Sequence, residues 1–197
     1  VAELGWREFY ADVLHHNPSS RTENLNPAFD RMVHDSGPGA QDLFTAWAEG
    51  RTGFPFVDAG MRQLRAEGWM HNRVRMVTAS FLVKDLHLPW WWGEREFMRW
   101  LIDGDPASNA HGWQWIAGSG TDAAPYFRVF NPILQGAKFD PRGEYVRRYV
   151  PELAHIAGAA VHEPWKVLDG YARGYPEPIV DHAEERAEAL RRYEAIR

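Results

Sequence analysis

The feature that most limits the possible folds is a helical periodicity that recurs along the chain without any sustained strand pattern. In its longest instance apolar residues stand at Met70, Val74, Val77 and Phe81, which is the spacing of one buried helix face. No segment keeps the two-residue alternation of a half-buried β-strand, and no repeat is visible. We therefore predict an all-α, multi-helical fold. The length of 197 residues is enough for one domain or slightly more, with a substantial core.

Prolines, glycines and capping residues set the predicted ends of the helices. Pro55 lies in the first turn of one helix and Gly68 ends it. The pattern from Asp181 to Glu184 resembles a capping box at the start of a charged terminal helix. The predicted helices cover 3–16, 40–49, 53–67, 70–86, 94–102 and 141–150, and the last begins at 181. The segments 17–38, 103–115 and 116–132 are predicted to be loops, and 89–93 a turn.

Composition excludes several classes of protein. There is no cysteine, no secretory signal and no stretch near eighteen uninterrupted apolar residues, so we predict a cytoplasmic protein without a membrane span. The formal net charge of −5 argues against a uniformly basic nucleic-acid-binding protein. Basic residues nevertheless outnumber acidic ones over 61–100 and over 126–150. Such local patches allow an acidic protein to bind a polyanion.

A polar segment flanked by tryptophans follows the helix predicted at 94–102. Gly104 and Pro106 end that helix and impose a turn, because glycine accepts positive φ and proline cannot continue a helix. The carboxylates and backbone groups of the turn are placed to face a ligand, and the tryptophans suggest that the ligand is flat and aromatic. The candidate residues are Asp103, Gly104, Asp105, Asn109, Trp113 and Trp115. A surface loop with two core tryptophans is the alternative.

The first predicted helix carries a second candidate surface. Glu3, Trp6, Arg7 and Tyr10 stand three and four residues apart, so they share one helix face. This combination of side chains is more typical of a binding surface than of a packed core. An ordinary surface ion pair between Glu3 and Arg7 is the alternative.

The segments 68–76 (Gly-Trp-Met-His-Asn-Arg-Val-Arg-Met) and 101–115 together resemble the FAD-binding helical domain of the photolyase/cryptochrome family. The specific resemblance is to class I cyclobutane pyrimidine dimer photolyases, and it extends from 3–10 to 163–165. It implies that 1–197 is a helical FAD- and DNA-binding domain of a deoxyribodipyrimidine photo-lyase. In that family an α/β antenna domain and the loop that holds the FAD phosphates precede the residue matching Glu3. We therefore expect a longer protein, with any antenna chromophore on the other domain.

The resemblance implies which residues contact the cofactor, and it implies no metal. Asn109 would face flavin N5, and Arg75 with Asp103 would form an ion pair beside the ring. A salt bridge that only ties two helices together is the alternative for that pair. The implied FAD-binding residues are Arg75, Asp103, Gly104, Asp105 and Asn109.

The implied partner is double- or single-stranded DNA that contains a pyrimidine dimer, bound by a monomer. The dimer would flip out of the duplex into a pocket with tryptophan walls. The implied substrate- and DNA-binding residues are Glu3, Trp6, Arg7, Tyr10, Asn72, Arg73, Met76, Trp115, Arg128, Gln135 and Lys138. For Lys138 a solvated basic surface is the alternative, and His71 is expected to be structural.

Trp90 and Trp113 match the two inner members of the family's tryptophan chain for electron transfer, although either could be an ordinary core residue. The outer tryptophan is absent, and His34 stands in its place. Trp91 and Trp92 offer a detour, because they lie in the turn predicted between Pro89 and Gly93, where at least one of them is expected to reach solvent. Two other functions remain open at this stage: a cryptochrome-type photosensor without repair activity, and a tryptophan-rich helical adaptor without flavin.

Overall fold

The structure is a computed structural model that describes residues 2–121 and 127–197, apart from the side chains of residues 2 and 3. The helices are α1 (Ala2–His16), α2 (Pro38–Ala48), α3 (Pro55–Glu67), α4 (Asn72–Ser80), α5 (Trp90–Trp100), α6 (Pro106–Ala117), α7 (Pro132–Phe139), α8 (Glu144–Tyr149) and α9 (His182–Glu194). Short 3₁₀ turns cover Pro18–Arg21, Pro27–Arg31, Pro151–Leu153, Gly158–His162 and Pro164–Lys166. The described residues contain no β-strand, so the all-α prediction is confirmed.

Helix α3 lies at the centre of the fold. Its buried face includes Val57, Met61 and Leu64, and it contacts α2, α4, α5, α7 and α8. Gly68 ends it in the left-handed conformation, at φ 67°. The predicted start in the first turn at Pro55 and the predicted end are both confirmed. None of the described helices is long and apolar enough to cross a membrane.

The long helix predicted over 70–86 changes its hydrogen bonding near its end. Beyond α4 the chain continues as one turn of π-helix, Phe81–Asp85. Asp85 in that turn is buried, and its Oδ1 forms a close hydrogen bond with Nδ1 of His182 at the start of α9. Just after the π-turn, Nε2 of His87 forms a second hydrogen bond, at 2.7 Å, with Oε2 of Glu185 on α9. The π-turn is thus the surface on which α9 docks.

Three local predictions are wrong. The tryptophan run after Pro89 is the first turn of α5 rather than a separate turn, because Pro89 is the N-cap and the residues after it are free to be helical. The segment predicted as a loop through Trp115 is mostly α6, since Pro106 occupies the first helical position and opens a helix there. The sequence predicts irregular chain from 116 to 132 and no further helix until Pro141, so it misses α7, which covers Pro132–Phe139. Pro132 opens α7 in the same way, and the following helix begins at Glu144.

Gly93 explains why α5 and α6 pack so closely. A Cβ atom at this position would lie 2.1 Å from Cη2 of Trp113 and 2.6 Å from a methyl carbon of Leu82. Only glycine allows that approach, and it seats the Trp113 ring against α5. Because α6 carries most of the candidate segment, this contact also sets the position of the site.

Candidate cofactor and DNA site

Asn109 is held by a buried carboxylate. Its side-chain Nδ2 donates to the backbone oxygen of Glu94 at 3.0 Å and to Oε1 of Glu94 at 3.1 Å. Glu94 lies on α5 and is buried. An amide group has two N–H donors, and both are used by Glu94. Asn109 can therefore offer a ligand only its acceptor, the Oδ1 oxygen.

Arg75 and Asp103 form an ion pair between α4 and the turn before α6. Nη2 of Arg75 lies 3.0 and 2.9 Å from the two carboxylate oxygens of Asp103. The Nε–H of Arg75 donates to the backbone oxygen of Met70 at 2.7 Å, which fixes the direction of the guanidinium. The side chains are 24% and 48% exposed, so one edge of the pair is open to a ligand.

Asp105 is the N-cap of α6, and Gly104 lies in the turn before it. The Ser108 N–H donates to Oδ1 of Asp105 at 2.8 Å. Partial burial acts to raise the pKa of Asp105. The hydrogen bonds from Ser108 and the nearby charge of Arg7 outweigh that effect, so the net pKa lies below its usual value. The carboxylate therefore stays ionised near neutral pH and starts the helix that carries Asn109.

The exposed face of α1 is aromatic. Trp6 is 56% exposed, and its ring stacks on Tyr10 at 6.0 Å between centroids. Tyr10 in turn stacks on His111 of α6 at 5.5 Å, with the planes 1° apart. Arg7 is exposed on the same helix. The side chain of Glu3 lies outside the described residues.

The first two turns of α4 carry several candidate DNA contacts. Asn72 is exposed, while Arg73 and Met76 are half-buried. His71 is the N-cap, and its Nδ1 accepts from the Arg73 N–H at 3.1 Å, so it has a structural role in starting this helix. On α7, Lys138 is exposed, whereas the Gln135 side-chain oxygen is buried and has no partner among the described residues. The backbone oxygen of Arg128 accepts from Lys84.

The candidate tryptophans differ in their surroundings. Trp113 is buried against Trp47 and Phe97, and its Nε1 has no hydrogen-bond partner among the described residues. Trp90 is also buried, and its Nε1 donates to Oδ1 of Asn24 at 3.0 Å. Trp115 is half-buried on α6.

Comparison with known proteins decides the family. A family model described as the FAD binding domain of DNA photolyase matches residues 1–195. The chain belongs to this family. It is 54% identical to the deoxyribodipyrimidine photo-lyase of Escherichia coli and 50% identical to that of Alkalihalophilus pseudofirmus, covering 99% and 96% of this chain. It spans 41% of each of these two relatives.

Solved structures of the photolyase/cryptochrome family superpose closely on this domain. A class III photolyase from Agrobacterium tumefaciens gives a TM-score of 0.91 at 50% identity, covering 98% of this chain and 41% of that one. A Synechocystis cryptochrome gives 0.88 at 34% identity, covering 96% and 40%. The photolyase/cryptochrome fold is thus confirmed. Photolyases and a cryptochrome share this fold.

Sequence reasoning missed Glu94 in this photolyase-family domain. The signal was present, because Glu94 falls on the same stripe of α5 as Trp90, Phe97 and Leu101, at helical spacing. A carboxylate on an otherwise apolar stripe is costly to bury unless it has a partner. That pattern could have predicted a buried polar group, although not that its partner would be Asn109.

Proposed function

We propose that this domain is the FAD- and DNA-binding part of a class I photolyase, which splits cyclobutane pyrimidine dimers in DNA in a light-driven reaction. The observation that carries the proposal is the amide of Asn109, whose Nδ2 is bound to Glu94 so that its Oδ1 oxygen is left as an acceptor for a ligand. The curated relatives at 54% and 50% identity are named deoxyribodipyrimidine photo-lyase, which supports the same reaction here. The resemblance of the segments 68–76 and 101–115 is the basis for class I.

The residues around Asn109 fit the ring system of FAD. A neutral amide oxygen accepts a hydrogen bond from a protonated ring nitrogen without adding charge, and the Arg75–Asp103 pair offers a cation beside it. When bound, FAD in its reduced, excited state supplies the electron that opens the dimer. The residues proposed to hold it are Arg75, Asp103, Gly104, Asp105 and Asn109.

The substrate side of the proposal uses α1, α4 and the end of α6. A dimer flipped out of the duplex would stack on Trp6 and Trp115, because aromatic rings hold flat bases without reading sequence. Glu3 and Asn72 would hydrogen-bond the two bases, and Met76 would pack on them. Arg7 and Tyr10 would complete the surface around Trp6. Phosphate contacts are assigned to Arg73, Arg128, Gln135 and Lys138.

A direct test of the proposal is repair of DNA that carries a thymine dimer, under illumination, by the full-length protein with reduced flavin. Restored thymine and a loss of dimer that depends on light would support the proposal. Light-dependent spectral changes of the flavin with no dimer loss would instead favour a cryptochrome-type photosensor. A colourless protein would favour the helical adaptor.

The first prediction concerns cofactor content. The full-length protein is expected to bind about one FAD per chain, whereas residues 1–197 alone should bind it poorly. The reason is that these residues provide contacts for the ring but no glycine-rich phosphate loop. The ratio of flavin to protein absorbance measures both. Tight stoichiometric flavin on the fragment would contradict the prediction.

The second prediction separates the dimer from the phosphates. Glu3→Ala is expected to lower the repair quantum yield more than DNA affinity, because its hydrogen bond should strengthen as charge develops on the dimer. Arg128→Ala should weaken binding and reduce the salt slope by about one, with less effect on yield. Binding titrations at several salt concentrations and repair yields measure the two effects. If Glu3→Ala lowered the repair quantum yield and the DNA affinity by the same factor, an electrostatic role for Glu3 would be excluded.

A further inference from the structure

Two cationic side chains share one exposed phenylalanine at the end of α7. The guanidinium carbon of Arg73 lies 4.8 Å from the centroid of the Phe139 ring, and Nζ of Lys138 lies 5.4 Å from it. Phe139 itself is 45% exposed. The ring is therefore partly open to water while it contacts both cations.

No acidic residue neutralises these cations in the described parts of the chain. Within 2–121 and 127–197, neither Arg73 nor Lys138 forms an ion pair. Asp140 follows Phe139 directly but is buried. Its two carboxylate oxygens accept from the N–H groups of Tyr145 and Val146 at 3.1 and 3.0 Å. The nearest acid in sequence therefore points inward and caps α8.

Both cations stand on firmly held backbone. Helices α4 and α7 each pack against α3. The first turn of α4 is capped by His71. The first turn of α7 is capped by Asn131, whose Oδ1 accepts from two backbone N–H groups at 3.0 and 2.9 Å. The remaining freedom is in the long side chains, and contact with the ring restricts it.

We propose that Phe139 is a positioning residue that holds Arg73 and Lys138 together as a two-cation clamp for the DNA phosphodiester backbone. The distances to the shared ring place the two charges within about 10 Å of each other. Two unpaired positive charges this close raise the local potential, and a polyanion relieves it. The ring reduces the side-chain entropy lost on binding, which is the benefit of preorganisation. The assignment to DNA rests on the proposed function.

The test is a titration of the full-length protein with a short duplex that carries one thymine dimer, at several KCl concentrations. Phe139→Leu keeps an apolar side chain but removes the π face, and Phe139→Tyr keeps that face. Since an exposed cation–π contact corresponds to about two- to fivefold in affinity, the loss of both contacts in Phe139→Leu should weaken binding by roughly four- to twenty-five-fold. Phe139→Tyr should bind as the wild type does.

The salt dependence separates positioning from charge. Phe139→Leu should leave the slope of log affinity against log salt unchanged, because both cations remain. Arg73→Gln should reduce that slope by about one. In the double variant Phe139→Leu with Arg73→Gln, the loss should be smaller than the product of the two single losses, because both act through one clamp.

Three results would overturn the clamp: wild-type affinity in Phe139→Leu, an equal loss in Phe139→Tyr, or independent losses in the double variant. Leu168→Ala, at a fully exposed apolar position, is the control and should bind normally. Thermal unfolding checks that the variants are folded. If Phe139→Leu does not fold, Phe139→Met replaces it in the titration. The clamp touches only phosphates, so the same loss is expected on undamaged duplex. A Phe139 effect on both duplexes without any repair would overturn the proposed function and leave the clamp standing.

Discussion

Asp103→Asn in the full-length protein is expected to weaken FAD binding by about tenfold, at the lower end of what a charge-assisted hydrogen bond contributes. The change keeps the shape of the side chain and removes its charge. The guanidinium of Arg75 would stay in place through its bond to Met70, but without its counter-ion. The side chains of Arg75 and Asp103 are 24% and 48% exposed, so solvent screens their charges. The expected loss of FAD affinity is therefore small for a charged group. Flavin release on dilution, followed by fluorescence, measures the affinity.

A matched control distinguishes a role of Asp103 in binding FAD from a role in holding two elements of the fold together. Arg148 and Glu67 form a comparable surface pair at 3.2 Å between α8 and α3. Arg148→Gln should leave FAD affinity unchanged. If Asp103→Asn lowered the unfolding temperature of the flavin-free protein while FAD affinity stayed normal, the pair would be structural only. A loss of affinity without loss of flavin-free stability is the expected result.

The helical fold was predictable because periodicity and end signals act locally. Helix α3 shows this, since its proline, its glycine and its apolar stripe all agree. The errors share one feature: Pro106 was interpreted as a helix terminator, and Pro89 and Pro132 were placed in a turn and in irregular chain, whereas all three stand at or just before the first turn of a helix. Proline is compatible with both roles, and the following residues decide between them.

The candidate site was only partly predictable. Arg75 and Asp103 are 28 residues apart in sequence, and their pairing was inferred from resemblance rather than from any local pattern. The support that Glu94 gives Asn109 depends on how closely α5 and α6 pack, which Gly93 decides through a contact between helices. The clamp at Phe139 joins α4 to α7, and the latter helix was missed. Long-range packing of this kind is not encoded in spacing.

The structure also selects between the two tryptophans proposed as a detour for electron transfer. The ring of Trp91 lies 5.8 Å from that of Trp90, at 83°. Trp91 in turn lies 5.5 Å from His34 and is half-buried. Trp92 instead contacts Phe44 at 5.5 Å, and phenylalanine is much harder to oxidise than tryptophan. Trp91 is therefore the proposed exit.

His34 does not serve as the terminal donor in this arrangement. Burial lowers the pKa of His34, so the imidazole is neutral at pH 7. Neutral imidazole is harder to oxidise than indole, so we expect an electron vacancy on Trp90 to move to Trp91 and to stop there. Reduction of Trp91 by an external reductant would then complete photoreduction.

Trp91→Phe is accordingly expected to remove most of the photoreduction of oxidised flavin, while Trp92→Phe, its matched neighbour, keeps most of it. His34→Trp should raise the yield, because it adds an indole in edge contact with Trp91. Repair by chemically pre-reduced protein should be the same in all three variants, since that reaction does not use the exit. Transient absorption of the tryptophan radical gives an independent readout: its lifetime should shorten in Trp91→Phe, because a vacancy confined to Trp90 recombines before a reductant can reach it. Unchanged photoreduction in Trp91→Phe, or an equal loss in Trp92→Phe, would show that the vacancy leaves by another side chain.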